Sequence, residues 1–146
     1  RHAQVEDDEH DPKLSEAGRS QGKKASSFFS ENIEDLDQYR GFSSPLQRCV
    51  ETSSIISKNT NLNFETNERF SDPLEQETPK DFLIRLRSVL HQLPEKSIIV
   101  SHCKFILNLA QMAVENADFS KCSGLPNLSV TYVNHKELKW LGKKTF

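Results

Sequence analysis

Cysteine is scarce in this chain and irregularly placed. Cys49, Cys103 and Cys122 are odd in number and form no CxxC pair, which speaks against a disulfide framework or a structural zinc site. Long apolar runs are missing as well. No stretch approaches the roughly 20 residues that cross a bilayer, and no signal-peptide pattern is visible. A cytoplasmic protein without a membrane partner is therefore expected. Basic charge is not in excess: the formal net charge of −2 leaves no polybasic footprint, so nucleic acid is not an expected partner. Internal repeats and low-complexity segments are absent too. What remains is a polar chain, 35% hydrophobic and 27% charged, in the range of folded rather than disordered proteins. Its 146 residues suit a single domain spanning 1–146.

The first residues are a reactive pair, Arg1-His2, with no element ahead of them to hold it. An apolar N-terminal strand upstream of Arg1 is expected. Glu6 to Asp11 is an acidic run that reads as a solvated loop, or as a pocket mouth that screens substrates by charge. Ser15 is the N-cap candidate of a helix running to about Asn32, with Ala17, Ala25, Phe28 and Phe29 on its apolar face. Gly18 and Gly22 weaken that helix and mark close packing on a sheet. Tyr39 to Ser43 reads as a strand. Pro45 then opens a second helix to about Asn59, with Leu46, Val50, Ser53, Ile56 and Ser57 on one face. Arg48 in its first turn runs against the helix dipole, which suits an anion bound there.

Leu62 to Thr66 is a short strand, and Asn67 to Thr78 an acidic loop. Pro79 starts a third helix through about Gln92, with Phe82, Leu83, Leu86, Val89 and Leu90 as its buried stripe. Ser97 to Ser101 is β-branched and apolar, like a strand central to a covered parallel sheet. Cys103 to Asn116 is a helix with Phe105, Ile106, Leu109, Met112 and Ala113 inward. Gly124-Leu125-Pro126 is a turn. Asn127 to Asn134 and Glu137 to Leu141 form a terminal hairpin tipped by His135-Lys136. Alternating strands and helices predict an α/β fold: a three-layer α/β/α sandwich with a mainly parallel central sheet. Ligands in such sheets bind beyond the C-terminal strand ends. His2, Arg48 and His102 lie there, and with Arg1 they make a pocket suited to one dianion, a phosphoryl group.

Four blocks occur in order: Arg1-His2-Ala3, Leu14 to Gly22, Ser44-Pro45-Leu46-Gln47-Arg48-Cys49-Val50-Glu51-Thr52, and Val100-Ser101-His102-Cys103. With them the chain resembles the histidine phosphatase superfamily, the phosphoglycerate mutase-like family, and within it a short phosphatase-type member. The resemblance implies metal-free phosphoryl transfer with no cofactor. His2 attacks phosphorus as neutral imidazole and becomes phosphohistidine. Arg1, Arg48 and His102 hold the phosphoryl oxygens, with Gln4 and Cys103 also at the substrate. A carboxyl group protonates the leaving oxygen. The family frame puts Asp72 in that role, followed by Glu75, Glu77 and Glu68. Such chemistry is mostly positioning and charge stabilisation.

Two positions depart from the family pattern. Ala3 and Cys103 replace glycines, and Cys103 reads as a small buried filler or as an oxidisable thiol at a helix start. The expected partner is a small phosphorylated substrate or a phosphoprotein. The expected activity is hydrolysis of a phosphomonoester. The alternatives are a protein phosphohistidine phosphatase and a non-catalytic phosphate-binding scaffold. A metal-dependent hydrolase built on His2, His10 and His102 lacks HxH or HExxH spacing. His10, His91 and His135 match no motif.

Overall fold

The computed structural model describes residues 1–6, 11–114, 126–134 and 139–146. His10, Cys122, the turn at Gly124-Leu125, the His135-Lys136 tip and most of the acidic run lie outside these. Ser15 opens α1 (Glu16–Asn32) as its N-cap, accepting from the Gly18 N–H at 3.0 Å. Then come β1 (Arg40–Ser43), α2 (Gln47–Thr60) and β2 (Phe64–Thr66). After a 3-10 turn at Glu68–Phe70 follow α3 (Pro79–Gln92), β3 (Ser97–Val100) and α4 (Cys103–Ala113). β4 (Ser129–Asn134) and β5 (Lys139–Thr145) pair as an antiparallel hairpin. Thr78 caps α3 from its side chain, and Pro79 occupies the first helical position, where no N–H is needed.

β1, β2 and β3 are parallel, in the order β2-β1-β3. Successive side chains on a strand point to opposite faces, and β3 shows the consequence. Ile98 and Val100 pack with Ala25, Phe29, Cys49 and Ile56 of α1 and α2. Ile99, with Phe42 of β1, packs with Phe82, Leu86, Val89, Phe105 and Leu109 of α3 and α4. Helices therefore cover both faces, and the three-layer α/β/α architecture stands as expected.

Several local expectations are corrected. β1 is the middle of the three parallel strands, and Ser97 to Ile99 of β3 are only partly buried. Pro45 does not open α2. Leu46 is the N-cap and offers no capping side chain, so the cap comes from elsewhere. Val50 is 38% exposed and Leu83 42%. Ser53 and Ile56 of α2 are buried as expected, but Cys49 and Thr52 join them in place of Val50, because that face meets α1 and the first residues of the chain. Ala17 is exposed and Gly18 takes its place. The two α1 glycines mark close packing, but not on the sheet. An added Cβ at Gly18 would lie 2.0 Å from the Gln4 carbonyl oxygen, and at Gly22 3.1 Å from the Ile55 side chain.

Gly18 thus lets α1 press on the backbone that carries His2. Alanine gains about 1 kcal/mol of helix propensity over glycine. The gain survives only where a neighbour yields. Gly18→Ala should lower stability by about 1–3 kcal/mol, the usual cost of overpacking. Gly22→Ala, facing a movable side chain, should be near neutral. Urea unfolding of the two variants checks this, and equal effects would contradict the packing.

Candidate active site

The site starts with the backbone of residues 1–3, which lies between β3 and β4. The His2 N–H donates to Ser101 O at 2.9 Å, the Leu128 N–H donates to His2 O at 2.9 Å, and the Arg1 nitrogen donates to Ser129 O at 2.9 Å. The Ala3 N–H donates to Thr52 Oγ1 at 3.1 Å. Thr52 falls one helical turn after Arg48, on the same face, which explains the Arg-x-x-x-Thr spacing. Ala3 is fully buried, so a methyl group is accommodated where the family pattern has glycine.

His2 is 6% exposed. Its Nδ1 lies 2.8 Å from Ala3 O. A carbonyl oxygen only accepts, so Nδ1 carries the proton and the lone pair sits on Nε2. Burial, chiefly, pushes the imidazole pKa down to about 4. The bond to Ala3 O opposes this, and the positive charges of Arg1 and Arg48 add to it. His2 is thus neutral and singly protonated near pH 7, the form a nitrogen nucleophile needs.

His102 is buried at the N-terminus of α4, its ring centroid 5.4 Å from that of His2. Burial and then the charge of Arg48 lower its pKa to about 3. Its Nε2 lies 2.9 Å from Ser44 Oγ and 3.5 Å from Cys49 Sγ. Ser44 Oγ lies 3.0 Å from Ser71 Oγ, so two hydroxyls join His102 to the residue before Asp72. Burial drives the Cys49 thiol up to about 12, so it stays protonated.

Arg48 does lie beside an anion in the first turn of α2, and that anion is Asp11. The Asp11 carboxylate accepts from the Gln47 N–H at 2.8 and 2.9 Å and pairs with Arg48 Nη1 at 3.4 Å. Asp11 is therefore the missing cap of α2, not part of a solvated loop. Asp72 plays the matching part at α4, where Oδ1 accepts from the Phe105 N–H at 2.7 Å. Its pKa is raised, first by burial, against the pull of that bond and of Lys104, Arg48 and Arg1. Glu68 and Glu75 are exposed, and Glu77 is bound by Arg85, which lowers its pKa. Asp72 is the loop carboxyl that the structure brings to the site.

Gln4 is exposed, with its backbone tied to Gln21 and Ser15. Cys103 is the first residue of α4 and partly exposed. Among the described residues no group of three His, Cys, Asp or Glu side chains converges on a metal position. A cavity of about 470 Å³ lies elsewhere, beside Tyr39 to Phe42 and Asn61 to Glu65, and no motif residue lines it. Sequence reasoning missed Asp11, Ser44, Ser71 and Thr52 as site-building residues. Ser44 and Thr52 stood inside the quoted block. Asp11 acts across 36 residues, with no local signal.

Two buried neutral imidazoles beside two guanidiniums, at the C-terminal ends of parallel strands, define an α/β protein with an anion-handling site. The histidine phosphatase superfamily (branch 1) matches residues 1–72, which include the Arg1-His2 pair and the Arg48 block. His102 lies beyond the matched residues. Over residues 1–72, just under half of its length, the chain carries the pattern of the histidine phosphatase superfamily. Among solved structures it is similar to the protein histidine phosphatase SixA complexed with tungstate, with TM-score 0.73 and 12% identity over 99% of this chain and 93% of the other. It is also similar to the mycobacterial glucosyl-3-phosphoglycerate phosphatase Rv2419c complexed with VO3, with TM-score 0.70 and 18% identity over 90% and 88%. A third, the open reading frame Rv3214 from Mycobacterium tuberculosis, gives TM-score 0.64 and 16% identity over 90% and 86%. Among curated proteins none matches in sequence.

The depressed histidines carry a pH signature. Between about pH 6.5 and 3 these two histidines bind more protons in the unfolded chain than in the folded one, so their contribution to stability falls as pH falls through that window. Titration of the imidazole C–H resonances by NMR should place both midpoints well below 6.5. Bound phosphate should raise them, because its charge favours imidazolium. Midpoints near 6.5 for the free protein would contradict neutral burial.

Proposed function

We propose that the chain is a metal-independent phosphatase that hydrolyses a phosphomonoester through a phosphohistidine on His2. The observation that carries this reading is the His2 Nδ1 contact with Ala3 O, which leaves Nε2 as the nucleophile among Arg1, Arg48 and His102. In the first step Nε2 attacks phosphorus and the bond from phosphorus to the leaving oxygen breaks. Asp72 gives that oxygen its proton. In the second step water attacks the phosphoryl group, Asp72 takes the proton, and the P–N bond breaks to return the lone pair to Nε2. Two displacements replace one harder one. Arg48 and Arg1 carry the charge of the equatorial oxygens, a role suited to the fixed guanidinium fork. Arg48 is shared with Asp11 at 3.4 Å, a loose contact that phosphate displaces without uncapping α2.

The substrate class in this reading is a small phosphate ester, and the setting is cytoplasmic. A phosphoramidate substrate, such as phosphohistidine in a protein, has less need of an acid. The half-buried Asp72, its pKa raised, favours the ester.

His2→Ala should lose activity by several orders of magnitude, as removal of a nucleophile does. Asp72→Asn should slow an alkyl phosphate far more than an aryl phosphate with a good leaving group, and flatten the basic limb of the pH–rate profile. Steady-state kinetics in EDTA checks both. A fully active His2→Ala protein would sink the mechanism. Equal losses on the two esters would remove Asp72 as the acid.

A further inference from the structure

We propose that Arg85 is a positioning residue that sets the Asp72 carboxyl at the site. This rests on the reading of Asp72 as general acid. Arg85 lies on α3, outside every motif block, and touches none of the imidazoles in the bonds described. Its guanidinium nevertheless ties the whole loop that carries Asp72. Nε donates to Glu77 Oε1 at 2.7 Å and Nη2 to Glu77 Oε2 at 2.6 Å. Nη1 donates to Arg69 O at 2.7 Å and to Ser71 O at 3.0 Å, and Nη2 reaches Asp72 O at 3.3 Å. The group also lies over the Phe82 ring, 5.0 Å from its centroid.

The partners explain why this matters. Three are backbone carbonyls on and before Asp72, and the fourth residue, Glu77, closes the far end of the loop. Glu77 in turn accepts from the Leu74 N–H at 3.2 Å. Pro73 to Gln76 are exposed, so the loop has little core of its own to fix it. The Arg85 and Glu77 side chains are only 15% and 10% exposed, which shields their ion pair from solvent. Asp72 is thereby held from two sides, by Arg85 at its carbonyl and by the Phe105 N–H at its carboxyl. Only a planar fork of donors reaches Arg69, Ser71, Asp72 and Glu77 together; a lysine ammonium is a point charge and reaches fewer.

The test uses Arg85→Lys and Glu77→Gln in the full chain, alone and combined with Asp72→Asn. Each is assayed on an alkyl and an aryl phosphomonoester, with inorganic phosphate as competitive inhibitor. Arg85→Lys should slow the alkyl ester roughly 100-fold, the scale of a small misplacement, and the aryl ester only about 3-fold. Phosphate inhibition should be unchanged, since Arg1, Arg48 and His102 remain. Added to Asp72→Asn, Arg85→Lys should bring no further loss on the alkyl ester, because both act through one proton transfer. A selective Asp72→Asn with an unselective Arg85→Lys would overturn the positioning role alone. An unselective Asp72→Asn would overturn the acid reading and this one with it. Should Arg85→Lys fail to fold by circular dichroism, Glu77→Gln carries the same comparison, with a smaller loss of the same selectivity; equal loss on both esters would overturn the role.

Discussion

Everything at the site depends on two imidazoles being buried without charge. Protonating either would place a cation beside Arg1 and Arg48 in a dry setting, a costly arrangement. Neutrality alone does not make a nucleophile. The contact from His2 Nδ1 to Ala3 O also settles which nitrogen is free. That contact in turn needs the first residues of the chain held still. Ser101, Leu128 and Thr52 hold them from three elements, and Gly18 lets α1 close over them. The scaffold thus acts on a single lone pair.

The same pocket handles charge through its helix ends. α2 and α4 both begin at the site, and neither has a capping side chain of its own. Each takes a carboxylate from a distant segment, Asp11 at α2 and Asp72 at α4. Free N–H groups at a helix start favour an anion. Two carboxylates held by those N–H groups answer that need. The loop that carries Asp72 is tied to α3 as well, through Arg85 and Glu77.

Much of this was legible in the sequence, for a physical reason. Helix caps, proline positions and apolar periodicity are local, and α1, α3 and the hairpin lie close to where their residues predict. The proximity of the candidate residues was legible because strand ends in an α/β sheet converge, so His2, Arg48 and His102 lie near one another. Side-chain direction was less legible. Val50 and Leu83 are apolar yet exposed, and Cys49 and Thr52 face inward. On α2 the inward face is set by the segment at residues 1–3, which is distant in sequence. Contacts made through backbone carbonyls leave no trace in residue type. Arg85 reads as one more surface charge on a helix until the loop it holds is seen.

The central claim is that His2 itself carries the phosphoryl group. The direct measurement is rapid quenching with a phosphorus-labelled ester in EDTA, followed by peptide mapping. The account predicts label on the peptide that contains His2, stable in alkali and lost in acid, formed and discharged at rates that sustain turnover. Label on another residue, or turnover with no labelled protein under conditions that trap phosphohistidine, would contradict it.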